Sequence, residues 1–254
     1  NDHRVFSNYG AILKGHGKLK EAELSTRKSI ELSPDSAIEH SNLGTILKDL
    51  GKTQESEISY RQAIKIKPDF AIAHYNLASI LKDDGKSYEA EISYRQAIKF
   101  KPDFTEAYFN LGNTLLDLRN LKEAKLSYLK AIEIKPDYAN AHLNLGTTLK
   151  DLGNLQDAEL AYRKAIELNP DYTNAHSDLG SILRDLGNLQ EAEVSTRKAI
   201  ELNPDYADAH SNLGRILRDL GNLQEARVCS EKIMSIRSWS IMGSYSFNRE
   251  IKLN

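Results

Sequence analysis

The stretch HSNLGTILKDLG, residues 40–51, returns almost unchanged as HSNLGRILRDLG, residues 210–221. Its leucines and glycines suit a packed helix, but the asparagine kept in the middle, Asn42 and again Asn212, needs a separate reason. Around this phrase the prolines set a period: Pro34, Pro68, Pro102, Pro136, Pro170 and Pro204 stand 34 residues apart. Gly10, Gly44, Gly112, Gly146, Gly180 and Gly214 fill one glycine column, and Gly17, Gly51, Gly85, Gly153, Gly187 and Gly221 a second. Only Ala78 and Arg119 interrupt them. A fixed period of this size marks a repeat architecture. Seven units fit, 3–36, 37–70, 71–104, 105–138, 139–172, 173–206 and 207–240, so residues 1–240 read as one solenoid and 241–254 as a C-terminal cap or tail.

Within the second unit, Leu43, Leu47 and Leu50 fall at i, i+4 and i+7, one apolar stripe of an amphipathic helix. Gly51 follows as a C-terminal glycine cap. A second helix then carries Ser56, Tyr60, Ala63, Ile64 and Ile66 toward a partner and stops before Pro68. Asn154, Asn188 and Asn222, each with an acid three residues on, predict capping boxes, and Asp69 predicts a cap for the following helix. Small residues at Gly44, Ser56 and Ala63 let helices approach closely. Each unit is then a helix–turn–helix hairpin that cannot bury its apolar face alone, so the hairpins stack into an all-α solenoid.

Composition narrows the function. The 254 residues carry a net charge of −2, without the basic excess that wrapping a nucleic acid requires. No run of about 18 apolar residues is present to span a membrane. One cysteine, Cys229, allows no intrachain disulfide and points to a reducing compartment, hence the cytoplasm. No signal peptide is visible, and a chain beginning Asn1-Asp2 is expected to be cut from something longer, with more repeats upstream.

An aromatic or His, then Leu-Gly, a Leu, Gly-x-x-x-(Glu/Asp)-Ala, Tyr, Ala and Pro at this spacing resemble the tetratricopeptide repeat over residues 3–240. Departures are local: Thr26, Thr196 and Ser230 replace the second-helix aromatic, and Ile233 and Ser238 replace Ala or Ser and Pro. The resemblance implies a right-handed superhelix whose concave surface binds peptides or partner proteins.

On a helical wheel Asn42, Thr45 and Asp49 share one face with Ile38, away from the leucine stripe. Down the repeats the asparagine column reads Asn8, Asn42, Asn76, Asn110, Asn144, Asp178 and Asn212. An acidic column holds Asp49, Asp83, Asp117, Asp151, Asp185 and Asp219. A basic one holds Lys14, Lys48, Lys82, Lys150, Arg184 and Arg218, broken by Leu116. An amide pairs with both N–H and C=O of an extended chain, so a row of them could cradle a peptide backbone while the charged columns read its side chains. The alternation resembles the repeat region of O-linked N-acetylglucosamine transferases, where an asparagine ladder holds peptide main chain. Two other readings stay open: the asparagines could bond to a neighbouring helix and fix the stacking register, or duplication could simply have copied them. Asp and Lys in neighbouring rows could also satisfy one another as surface ion pairs.

Tyr75, Phe109 and Leu143 occupy the ladder-adjacent position in successive repeats where outer repeats have serine, and with Ile72 they suggest an apolar anchor site. The histidine column, His40, His74, His142, His176 and His210, cannot converge on one metal ion and reads as packing. No cofactor is implied, and no phosphate loop, nucleophile elbow or zinc-protease motif is present, so the segment reads as no enzyme by itself. In the tail RSWSIMGSYSFNREIKLN, residues 237–254, aromatics alternate with serines in a strand-like pattern. Either it caps the last repeat or it begins another domain. Two functions follow: a scaffold binding an extended peptide of a partner, or a substrate-recruiting arm of a larger enzyme such as a glycosyltransferase. Self-association through the solenoid ends is a third possibility, and neither nucleic acid nor membrane is expected as a partner.

Overall fold

The computed structural model describes the backbone from residue 2 to residue 250 and side chains as far as residue 236. The described residues form fourteen helices and no strand. In order these are α1 (His3–Gly15), α2 (Leu19–Leu32), α3 (Ala37–Asp49), α4 (Thr53–Ile66), α5 (Ala71–Asp83), α6 (Ser87–Phe100), α7 (Thr105–Asp117), α8 (Leu121–Ile134), α9 (Ala139–Asp151), α10 (Leu155–Leu168), α11 (Thr173–Asp185), α12 (Leu189–Leu202), α13 (Ala207–Asp219) and α14 (Leu223–Glu250). Odd-numbered helices begin at residues 3, 37, 71, 105, 139, 173 and 207, the starts of the seven units. Residues 1–135 form one compact unit and residues 136–254 a second. Within each unit every first helix packs on the second helix of its own hairpin, and that second helix packs on the first helix of the next.

The glycine columns do two different jobs. Gly51, at φ +74°, closes the turn between α3 and α4. Its N–H donates to the Lys48 carbonyl and the Lys52 N–H to the Leu47 carbonyl, both at 2.9 Å, the paired bonds of a Schellman cap. Arg119 makes the same turn at φ +60° without being glycine. The other column permits contact. A Cβ built on Gly44 would lie 2.8 Å from the Tyr60 ring, and on Gly112 2.6 Å from the Tyr128 ring. Tyr60, Tyr94, Tyr128 and Tyr162 are almost wholly buried across the hairpin from this column. Each hydroxyl that reaches the first helix finds a polar group there: Tyr60 meets Thr45 at 3.0 Å, Tyr128 donates to Asn113 at 2.6 Å, and Tyr162 donates to Thr147 at 3.2 Å. Burial holds the Tyr60, Tyr94 and Tyr162 hydroxyls above the ordinary phenol range.

The histidine column belongs to the corners between hairpins. His40, His74, His142, His176 and His210 each place Nε2 2.8–3.0 Å from the carbonyl of the proline six residues before. A carbonyl only accepts, so Nε2 carries the proton.

Three local expectations need correcting. Asp69 does not cap α5: the N-cap is Phe70, and no side chain caps that end. The boxes at Asn154 and Asn188 are not closed, since neither amide bonds its helix; only Asn120 accepts from the Glu123 N–H, at 3.5 Å. The ψ of 62–70° at these asparagines falls outside the extended geometry that aims a side chain at the N3 amide. Serine, with ψ 100° at Ser36, does cap α3. Finally, the alternation in the tail predicted extended backbone, yet α14 continues as helix through Glu250. Ser238 stands where every other second helix meets a proline, so nothing removes the N–H that would end it. The capping role expected of the tail lies outside the described side chains.

A left-handed conformation costs a non-glycine residue about 1–2 kcal/mol, partly offset by the greater unfolded-state freedom of glycine. Arg119→Gly should therefore stabilise the chain by about 0.5–1 kcal/mol, seen as a higher midpoint in urea followed by circular dichroism.

Candidate partner-binding site

The asparagine column lies on the first helices, one side chain per hairpin, and its members fall into two groups. Asn8 and Asn42 are exposed and Asn76 half-buried, and none has a hydrogen-bond partner among the described residues. Asn110 instead donates to the Tyr75 hydroxyl of the preceding hairpin at 2.9 Å. Asn212 is buried and donates to the Ser177 hydroxyl at 3.0 Å and its carbonyl at 3.2 Å, while the Arg215 guanidinium donates to its carbonyl oxygen. Asn144 is half-buried and already engaged. Asp178 accepts from Lys150 at 3.0 Å.

The charged columns largely pair with one another. Lys14–Asp49, Lys48–Asp83 and Lys82–Asp117 stand at 3.5, 3.6 and 3.5 Å. Arg184 reaches Asp219 at 2.6 Å and its own neighbour Asp185 at 3.5 Å. Lys48 also donates to Ser79 at 2.8 Å. Such exposed pairs each contribute about 0–1 kcal/mol. Asp151 makes no ion pair among the described residues, and one repeat earlier the basic column carries Leu116.

The aromatic positions are built into the hairpins. Tyr75 is half-buried, its ring centroid 4.7 Å from Phe104 and 5.8 Å from Tyr94. Phe109 is half-buried with its ring 5.9 Å from Tyr128, and Leu143 is buried. Ile38 and Ile72 are the apolar side chains this face leaves open, 60% and 49% exposed.

The sequence reading missed a second set of ion pairs, on the even helices. Arg27 bonds Glu23 in its own helix and Glu55 in the next hairpin's, and Arg61, Arg95, Arg163 and Arg197 repeat that geometry. Burial would raise the Glu23 and Glu57 carboxyls, but hydrogen bonds from two cations each outweigh it and hold both below the usual carboxylate range. The 28-residue step from Arg to Glu was the available signal. No three His, Cys, Asp or Glu among the described residues could hold a metal ion, and no described helix is long and apolar enough to cross a membrane.

This is a stacked helical-hairpin repeat protein, and comparison with known families is specific. A tetratricopeptide repeat description matches residues 71–104, 105–138, 139–172, 161–194 and 207–238, and a TPR repeat description matches 44–85 and 180–221. Together they run unbroken from 44 to 238, and the chain belongs to the tetratricopeptide repeat family. No curated protein matches it. Among solved structures, YrrB, described as a TPR protein with an unusual peptide-binding site, superposes with a TM-score of 0.67 at 22% identity, over 72% of this chain and 95% of that one. PilF of Pseudomonas aeruginosa gives 0.71 at 16% identity, over 82% and 95%. A tetratricopeptide repeat protein of Parabacteroides merdae gives 0.66 at 22%, over 92% and 93%. At these identities the likeness is one of fold.

The split within the asparagine column has a direct consequence. Asn212→Ala strips a buried hydrogen bond and should cost about 1–2 kcal/mol, whereas Asn42→Ala should change stability by under about 0.5 kcal/mol. Urea titration of the two variants checks this.

Proposed function

We propose that the chain is a protein-interaction scaffold whose first-helix face in residues 1–135 holds an extended peptide segment of a partner. The observation that carries this reading is the run of unpartnered amides at Asn8, Asn42 and Asn76, at one position of three successive hairpins. Each offers two donors and an acceptor to a passing main chain. Ile38 and Ile72, one turn before two of these asparagines, supply apolar contact. The long Lys14–Asp49, Lys48–Asp83 and Lys82–Asp117 pairs open at little cost to charged side chains of the peptide. Tyr75 and Phe109 contribute ring edges rather than free anchors. In residues 136–254 the unpaired Asp151 would read a basic side chain, beside Lys150, Asn144 and Asp185. That a protein of similar fold is described as having a peptide-binding site agrees with this reading. The single cysteine, Cys229, is buried, which fits a reducing, cytoplasmic setting.

The test is a displayed peptide library screened against the chain and against Asn8→Ala/Asn42→Ala/Asn76→Ala, with circular dichroism to verify folding. Three hydrogen bonds of about 0.5–1.5 kcal/mol each predict a loss of about tenfold to a thousandfold for extended peptides. Equal capture by the folded variant would withdraw the proposal.

A further inference from the structure

The opposite, even-helix side of residues 1–135 carries a second feature. Four even helices share an ion pair in their last turn: Lys28–Glu31, Lys130–Glu133, Lys164–Glu167 and Lys198–Glu201, at 2.6–2.7 Å. In α4 and α6 the same two positions hold Gln62–Lys65 and Gln96–Lys99. The acid has become a lysine and its intrahelical partner has become neutral. Two residues on, Lys67 and Lys101 stand where the first, fifth and sixth repeats have Ser33, Asn169 and Asn203. All four lysines are exposed, and none forms an ion pair among the described residues, Asp69 and Asp103 included. Three are held over aromatic rings, Lys67 on Phe70 and Lys99 on Phe100 at 5.5 Å, and Lys101 on Phe104 at 4.6 Å. Lysine also suits a helix C-terminus. Yet α2, α8, α10 and α12 have no basic residue in their last turn, so the dipole does not require one.

These lysines border an apolar groove. Between α4 and α6 lies a cleft of about 350 Å³ lined by Ile64, Leu77 and Ile92, with His74, Lys65 and Gln96 beside them. Ile92 is 61% exposed, so the groove leaves a large aliphatic wall in water. The His74 bond to the Pro68 carbonyl fixes the corner that carries Lys67 and Phe70 next to the cleft, and Phe100 stacks on His74 at 5.7 Å. Across the mouth, Arg61 is already neutralised by Glu57 and Glu89. The uncompensated charge therefore sits at one end only, and it is positive.

We propose that this groove docks an acidic, leucine-rich peptide segment of a partner protein, with an apolar side chain on Ile64, Leu77 and Ile92 and carboxylates on Lys65, Lys67, Lys99 and Lys101. The surface is separate from the asparagine face, and its occupant is set by charge complementarity joined to apolar lining.

The test uses fluorescence anisotropy of the whole chain with a short labelled peptide of leucine and glutamate. Controls are its counterpart with glutamine for every glutamate, leucine-free oligoglutamate, and a single-stranded oligonucleotide. The key variant, Gln62→Lys/Lys65→Glu/Gln96→Lys/Lys99→Glu, restores the pattern of the other even helices and should keep the wild-type melting curve. Lys65→Gln/Lys99→Gln is the milder companion should it not. Expected are binding by wild type, at least tenfold weaker binding by either variant, no change in Asn42→Ala/Asn76→Ala, and at least tenfold weaker binding of all three controls. Absent binding, undiminished affinity in the folded lysine variants, or a loss in the asparagine variant would each overturn the proposal. So would oligoglutamate or the oligonucleotide binding as tightly as the leucine peptide, which would make the patch a general polyanion surface.

Discussion

A tyrosine ring laid on a bare glycine sets the geometry on which the rest of this chain depends. With Gly44 under Tyr60, two helices approach until their backbones nearly meet, and the Ser56 hydroxyl donates to the Gly44 carbonyl at 2.5 Å. That contact fixes the angle within a hairpin, and the Schellman turn at Gly51 fixes its handedness. A hairpin so built keeps one apolar face uncovered and can bury it only on another hairpin. The column tolerates some change. Ala78 takes the glycine's place in the third repeat, and Thr26 and Thr196 replace the ring where Gly10 and Gly180 face them.

Stacking offsets the hairpins by one residue beyond the sequence period. Lys14 pairs with Asp49, Lys48 with Asp83, Lys82 with Asp117 and Arg184 with Asp219, and Asn110 and Asn212 reach Tyr75 and Ser177. Every one of these pairs spans 35 residues rather than 34. Helical side chains lean toward the N-terminus, so a given spot is covered by a residue about one position C-terminal to it. The lysine and aspartate adjacent in sequence, as Lys48 and Asp49 are, therefore face different neighbours, one on each side. This divides the asparagine column too, because an amide is used internally only where the residue 35 positions earlier can receive it. Tyr75 and Ser177 can, and their hairpins gain a polar tie.

What the sequence disclosed followed from its periodicity. Prolines and glycines 34 residues apart located every first helix to the residue, because those types act locally on the backbone. The columns of Asn, Asp and Lys were equally plain. Their partners were not, since pairing depends on the offset between hairpins, which no single repeat encodes. Cap assignments failed for a related reason: Asp69 and Asn154 have the right chemistry, but the chain enters those helices at dihedrals that aim the side chain elsewhere. The tail misled because serine–aromatic alternation was weighed without the missing proline at Ser238.

In a chain of near-copies, shared residues report mainly on stacking, and departures report on what is particular to one place. The lysine that becomes Leu116 interrupts the basic column in the repeat that closes residues 1–135. The glutamates that become Lys65 and Lys99 abolish an ion pair kept in four other helices, with no compensating internal contact. Stability alone gives little reason for such an exchange, since an exposed i,i+3 pair contributes only a few tenths of a kcal/mol. An exchange made twice, in adjacent hairpins, beside one apolar groove and in the same sense of charge, is instead what a surface shaped by an acidic partner would carry.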